Sequence, residues 1–114
     1  MKIVFDIGGS KIRIATSIDG RNLSEPIIVR TPQRPEEAIK KLITLIEDAS
    51  GREPIEAIGG GLPGVLNEQK SALNTAQNLP KWIDFPIVEK LHQHFNRPIY
   101  LENDTVLGLS LIHI

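Results

Sequence analysis

Asp6-Ile7-Gly8-Gly9-Ser10-Lys11-Ile12-Arg13-Ile14-Ala15 reads as the end of one strand, a tight turn and the start of another strand. Residues 2–7 and 11–18 alternate or run apolar and are rich in β-branched side chains, which favours extended backbone on both sides of the turn. Gly8 and Gly9 carry no side chain, so the turn can press its backbone N–H groups against an anion such as a phosphate. Ser10 adds a hydroxyl, Lys11 a positive charge and Asp6 a carboxylate. An ordinary hairpin with an acidic residue before it accounts for the same letters, and both readings stand at this level.

Working outward, Asp19-Gly20 signals a second hairpin and Ile27-Ile28-Val29 a third strand. Three strands joined by short turns are antiparallel neighbours. Thr31-Pro32-Gln33-Arg34-Pro35 breaks the pattern, and a helix over 35–50 follows, with Pro35 in its first turn and Gly51 just past its end. Ile39, Leu42, Ile43 and Ile46 recur at helical spacing and define its buried stripe. Ile55 to Gly60 reads as a fourth strand, covered on both faces, which the turn-forming residues Gly59-Gly60-Gly61 and Pro63-Gly64 bring to an end. Residues 62–83 are loop-rich, and a loop of that length in a compact domain is usually functional. Asp84 is placed to cap a second helix over 84–95, Pro98 to Leu101 forms a fifth strand, and Thr105 to Leu111 begins a third helix.

The order is βββαβαβα. It predicts a mixed five-stranded sheet, strands one to three antiparallel, strands four and five parallel to the first, with helices packed on it. Parallel strands end together, so Asp6, Gly8, Gly9, Gly64, Asn78, Asn103 and Asp104 are expected at one edge of the sheet. There Ile99-Tyr100-Leu101-Glu102-Asn103-Asp104 delivers a carboxylate. A phosphate cradle facing a delivered carboxylate makes the two halves of a phosphoryl-transfer site. Asn103 or Asp104 serving as N-cap of the last helix is the structural alternative, and one residue can do both.

The bulk properties narrow the class. With 114 residues and 40% hydrophobic content the chain suits one small domain or part of a larger one. A net charge of −1 makes no electrostatic case for nucleic acid or a membrane surface. The absence of cysteine removes disulfides and thiolate metal sites from this span. His92 and His94 stand two apart on a predicted helix and point to different faces, which argues against a shared metal. No apolar run approaches the roughly 20 residues that cross a bilayer. Met1-Lys2 passes directly into a strand, leaving no room for a signal peptide, so the cytoplasm is the expected compartment.

Four segments in this order, Asp6 to Ala15, Gly59 to Gly64, Asn78-Leu79-Pro80-Lys81-Trp82 and Glu102-Asn103-Asp104, resemble the ROK family of sugar kinases and sugar-responsive repressors. The resemblance covers nearly the whole chain. It implies an α/β fold of the ribonuclease-H-like type shared by actin, hexokinase and the heat-shock chaperones. It also implies that residues 1–114 are an amino-terminal ROK kinase domain cut within its last helix, with a second domain beyond.

The activity implied is ATP-dependent phosphorylation of a hexose or N-acetylhexosamine hydroxyl, of glucokinase type, in carbohydrate metabolism. Asp104 would be the general base. Asp6, Gly8, Gly9, Ser10 and Lys11 would bind the nucleotide, Asp6 also facing magnesium through water. Gly64, Asn78, Asn103 and Asp104 would hold the sugar. Serine at position 10, where threonine is common in the family, keeps the hydroxyl donor. Trp82 is expected to pack under the loop, and Lys81 stands where glycine is frequent. The family also implies a homo-oligomer at full length and a structural zinc in the missing domain of some members. The isolated segment is expected to be inactive, because one domain cannot close over ATP and sugar. The alternative is a sugar-responsive ROK repressor lacking its DNA-binding domain here. With Met1 as the start, the five residues before Asp6 leave no space for a helix-turn-helix.

Overall fold

The computed structural model describes residues 1–51, 53–75 and 79–103. Its main sheet has five strands: β1 (Lys2–Ile7), β2 (Lys11–Ser17), β3 (Ile27–Arg30), β4 (Ala57–Leu62) and, last in the chain, Ile99–Asn103. A small hairpin, β5 (Val65–Leu66) and β6 (Leu73–Thr75), lies between, so the last strand is β7. The helices are α1 (Pro35–Ser50) and α2 (Ile87–Phe95), with a short 3-10 turn at Pro80–Trp82.

The spatial order is β3-β2-β1-β4-β7. β1 pairs antiparallel with β2 and parallel with β4, and β4 pairs parallel with β7. This is the mixed sheet that the order of periodic segments predicts. Strand alternation sends Ile3, Phe5, Ile7, Ile12, Ile14, Ile58 and Leu101 into one core with α1 and α2. Val4 and Ala15, partners in register, face the other way.

α1 has the predicted bounds. Pro35 occupies its first turn, where a missing N–H costs nothing, and Glu36 and Glu37 sit at the positive end of the helix dipole. Gly51, at φ 60°, ends it by donating its N–H to the Glu47 carbonyl.

Five details differ from the expectations, the first being that the strand expected at Pro98 to Leu101 is Ile99–Asn103. The fourth strand is Ala57–Leu62, two residues later than read, because Gly59, Gly60 and Gly61 belong to the strand itself. The reason is Phe5, the register partner of Gly60: a Cβ on Gly60 would lie 2.0 Å from the Phe5 ring. Gly60 is therefore space for an aromatic ring. Asp19-Gly20 does not close a two-residue hairpin, because the connection from β2 to β3 spans 18–26. Asp84 caps nothing: it has φ 62°, its N–H donates to the Leu73 carbonyl, and α2 begins only after Pro86. Finally, the loop-rich stretch contains the β5–β6 hairpin, whose tip is tied by Asn67 Oδ1 accepting from the Ser71 N–H at 2.9 Å. The third helix expected from Thr105 lies outside the described residues.

Candidate active site

β1, β4 and β7 are parallel, so their carboxyl ends share one edge of the sheet. Register sets Asp6, Gly61 and Glu102 in one row across three strands, and pairs Leu62 with Asn103 in the next. The Gly8–Ser10 turn continues from β1 beyond that row, and the turn carrying Gly64 continues from β4. The structure thus brings Asp6, Gly8, Gly9, Ser10, Gly64 and Asn103 to the same edge. Asn78 and Asp104 lie outside the described residues; Asp104 directly follows the last residue of β7. Gly64 is exposed and has φ 99°, a conformation that side chains disfavour.

The first turn is built by its carbonyls. Gly8 N–H donates to the Lys11 carbonyl at 2.8 Å and closes the turn. Thr31, directly after β3 and only 2% exposed, then reaches it from the side. Its N–H donates to the Ser10 carbonyl at 2.9 Å and its hydroxyl to the Gly8 carbonyl at 2.9 Å. Gln33 Nε2 donates to the Gly9 carbonyl at 3.5 Å. With the carbonyls engaged, the N–H groups of Gly9 and Ser10 have no acceptor among the described residues. A turn that hides its acceptors and presents its donors suits an anion. Gly8 and Gly9 are not in the left-handed region, so their contribution is close approach and not an unusual dihedral.

Thr31 and Gln33 escaped the sequence reading. The available signal was a threonine immediately before a proline at the end of a strand, but nothing local says that the strand lies beside the turn. The Lys11–Arg30 pairing does that. Glu102 was also passed over. Its carboxylate meets Lys70 Nζ at 3.3 and 3.4 Å, tying the tip of the β5–β6 hairpin to the end of β7. Both partners are half-exposed, so the pair is worth at most about 1 kcal/mol.

The residues present fit the groups expected here. Asp6 Oδ1 is buried at the mouth of the site. Among the described residues no group of three or more His, Cys, Asp or Glu could hold a metal. A single carboxylate suits magnesium, which keeps most of its waters and takes further oxygens from phosphate. The unengaged amides of Gly9 and Ser10 suit the phosphates of ATP. His92 and His94 are exposed on α2, and His94 Nε2 lies 3.6 Å from Glu47. Trp82 is fully buried and meets Phe85 edge-on at 6.1 Å, so it packs beneath the loop as expected. Lys81 is exposed.

Comparison with known proteins agrees with this architecture. The glucokinase of Streptomyces coelicolor is 32% identical over 104 residues, covering 91% of this chain and 32% of that protein. The xylose repressor of Caldicellulosiruptor bescii is 32% identical over 78 residues, covering 64% of this chain and 19% of that one. The chain thus spans about a third or less of these relatives. The ROK family glucokinase of Streptomyces griseus, solved with glucose and AMPPNP, superposes with a TM-score of 0.80 at 26% identity, over 90% of this chain and 32% of that one. The fold is accordingly the actin- and hexokinase-like one. The ROK family model matches residues 2–109, and on that match, the shared fold and the ordered motifs, the chain belongs to the ROK family.

Proposed function

We propose that this chain belongs to the amino-terminal domain of an ATP-dependent sugar kinase of glucokinase type. The observation that carries the reading is the Gly8–Ser10 turn, whose Gly9 and Ser10 N–H groups have no acceptor among the described residues while Thr31 and Gln33 engage its carbonyls, at the edge where β1, β4 and β7 end. Gly9 and Ser10 N–H groups, the Ser10 hydroxyl and Lys11 take the phosphates of ATP. Asp6 holds magnesium through water, and that ion supplies charge neutralisation on the phosphates. Gly64, Asn78 and Asn103 orient a hexose or N-acetylhexosamine.

Asp104 accepts the proton of the sugar hydroxyl as its oxygen bonds to the γ-phosphorus and the bond to the ADP oxygen breaks. The second domain completes the adenosine pocket, closes the cleft, carries any structural zinc and supports a homo-oligomer. No helix among the described residues is long and apolar enough to cross a membrane.

The xylose repressor relative supports a second reading, a sugar sensor on the same fold. One experiment separates them. In the full-length protein, Asp104→Asn is expected to lower sugar phosphorylation by about 10²–10⁴-fold while sugar binding persists, because the amide keeps the shape but cannot take the proton. The 114-residue chain alone is expected to be inactive. Near-normal turnover in Asp104→Asn removes Asp104 as the base. Sugar binding with no phosphorylation by the wild-type full-length protein favours the sensor.

A further inference from the structure

The β5–β6 hairpin joins the stretches of chain assigned to the sugar. Gly64 immediately precedes β5, Asn78 follows β6, and Asn103 ends β7. The base of the hairpin is fixed by the core. Leu73 is fully buried, bridges to Ile83, and its carbonyl accepts from the Asp84 N–H at 2.9 Å. The Ser71 carbonyl accepts from the Val88 N–H at 3.3 Å, at the start of α2. The tip is held differently. Lys70 Nζ crosses to both carboxylate oxygens of Glu102, the residue directly before Asn103. Between tip and strand lies a cleft of about 310 Å³, lined by Gln69, Lys70, Ile99, Tyr100, Leu101 and Glu102. Packing leaves that space open, so the ion pair is what spans it.

The backbone at Lys70 is a second, independent observation. Its φ of 52° lies in the left-handed region, where glycine or asparagine sits more easily than lysine. The turn is closed without the lysine side chain: Asn67 Oδ1 accepts from the Ser71 N–H at 2.9 Å, and the Asn67 carbonyl accepts from the Lys70 N–H at 3.0 Å. A long side chain carried at a disfavoured backbone position, and reaching across a cleft, points to a role in the cleft. An exposed pair adds little to folding, but a small shift between groups that hold one ligand is felt directly in binding.

We propose that Lys70 and Glu102 are a positioning pair that sets the separation between the β5–β6 hairpin and β7, and with it the fit of the sugar between Gly64 and Asn103. The proposal rests on the sugar-kinase reading of this edge and deepens it. The pair acts through the sugar-holding residues and leaves the Gly8–Ser10 turn alone.

The test uses the full-length protein with ATP and a panel of D-glucose, D-mannose and N-acetylglucosamine, continued with the tightest binder. Lys70→Asn suits the left-handed backbone and removes the ammonium; Glu102→Gln removes the carboxylate charge. Each is expected to raise the sugar KM and calorimetric Kd about two- to fivefold, with kcat and the ATP KM unchanged. The reversal Lys70→Glu/Glu102→Lys should bring the sugar KM back to within about twofold of wild type. Salt at about 1 M should weaken sugar binding by the wild type and not by Lys70→Asn, because an uncharged sugar offers salt only the pair to act on. Lys90→Gln, an equal charge change on the exposed side of α2, should leave the sugar constants unchanged. Unchanged sugar constants in both single variants, no rescue on reversal, or an equal rise for ATP overturns the proposal. A wild-type protein that binds none of the sugars sinks the sugar-kinase reading and the proposal with it. Normal wild-type binding that the variants leave untouched sinks the proposal alone.

Discussion

The two connections at opposite ends of β2 use the same chemistry in opposite senses. In the Gly8–Ser10 turn the carbonyls are occupied and the amides of Gly9 and Ser10 have no acceptor among the described residues. In the 18–26 loop the amides are occupied from within. Asp19 Oδ1 accepts from the N–H groups of Arg21 and Asn22 at 2.8 and 2.9 Å, and Oδ2 from Asn22 Nδ2 at 2.9 Å. Ser17 Oγ donates to Oδ1 at 3.2 Å and accepts from Gly20 N–H at 2.9 Å. Those bonds, from Asn22 first and then Arg21, hold the Asp19 carboxyl well below the usual carboxylate range. The second connection carries its own anion and is complete. In the first, no acceptor among the described residues engages the Gly9 and Ser10 N–H groups, which is the place the proposed phosphate would take. A cluster of backbone donors signals a ligand only when the chain has not already supplied the acceptor.

The comparison can be broken at the sheet that supports the first turn. Gly60→Ala forces a methyl onto the fully buried Phe5 ring, whose only relief is to move the β1–β4 pairing. Overpacking of this kind typically costs about 1–3 kcal/mol, and here the clash is severe, so the upper end or beyond is expected in denaturant melts. An unchanged midpoint would show that the ring has room elsewhere.

Thr31→Val attacks the turn's acceptor side. It keeps the bulk, removes the hydroxyl and strands the Gly8 carbonyl. The expected loss is about 1–3 kcal/mol, together with weaker tripolyphosphate binding. Unaltered binding at reduced stability would separate the scaffold from the site.

Ser10→Asp sharpens the contrast by giving the first turn its own carboxylate, as the second has. Tripolyphosphate affinity should fall about tenfold or more while stability changes by less than about 0.5 kcal/mol, since Ser10 is exposed. Retained affinity would mean that the turn amides do not hold phosphate.

The smallest effect belongs to the filled loop. Because the Asp19 pKa is lowered on folding, its contribution is complete above the ordinary value of 3.8 and is lost as pH falls through the lowered value. Asp19→Asn should therefore flatten the acid limb of the stability curve by lowering the neutral region toward its acid value, and leave tripolyphosphate binding untouched. Thermal melts across about pH 2 to 6 read the first.

Local pattern made much of this legible. Alternation in 2–7 and 11–18 and helical spacing in 35–50 placed these elements to within a residue, because backbone hydrogen bonding imposes periods of 2 and 3.6 on any face that must be buried. Proline and glycine at the ends of α1 marked it to the residue. The same shorthand failed where a residue answered to a distant neighbour. Glycines 59–61 looked like the end of a strand, and the cause of the central one, Phe5 against Gly60, is more than fifty positions away. Asp84 looked like a cap, but Pro86 forms the helix start and the Asp84 N–H is drawn to Leu73.

The sequence by itself determined the order of the five main-sheet strands and of α1 and α2, the antiparallel β1–β2 hairpin and the family. Tertiary structure alone decided that Thr31 and Gln33 would engage the carbonyls of a turn more than twenty residues earlier, and that Lys11 and Arg30 would stand side by side. The physical reason is that propensity and periodicity act over one or two turns of chain. Whether a donor is left open or two charges meet depends on which strands become neighbours, and in what register.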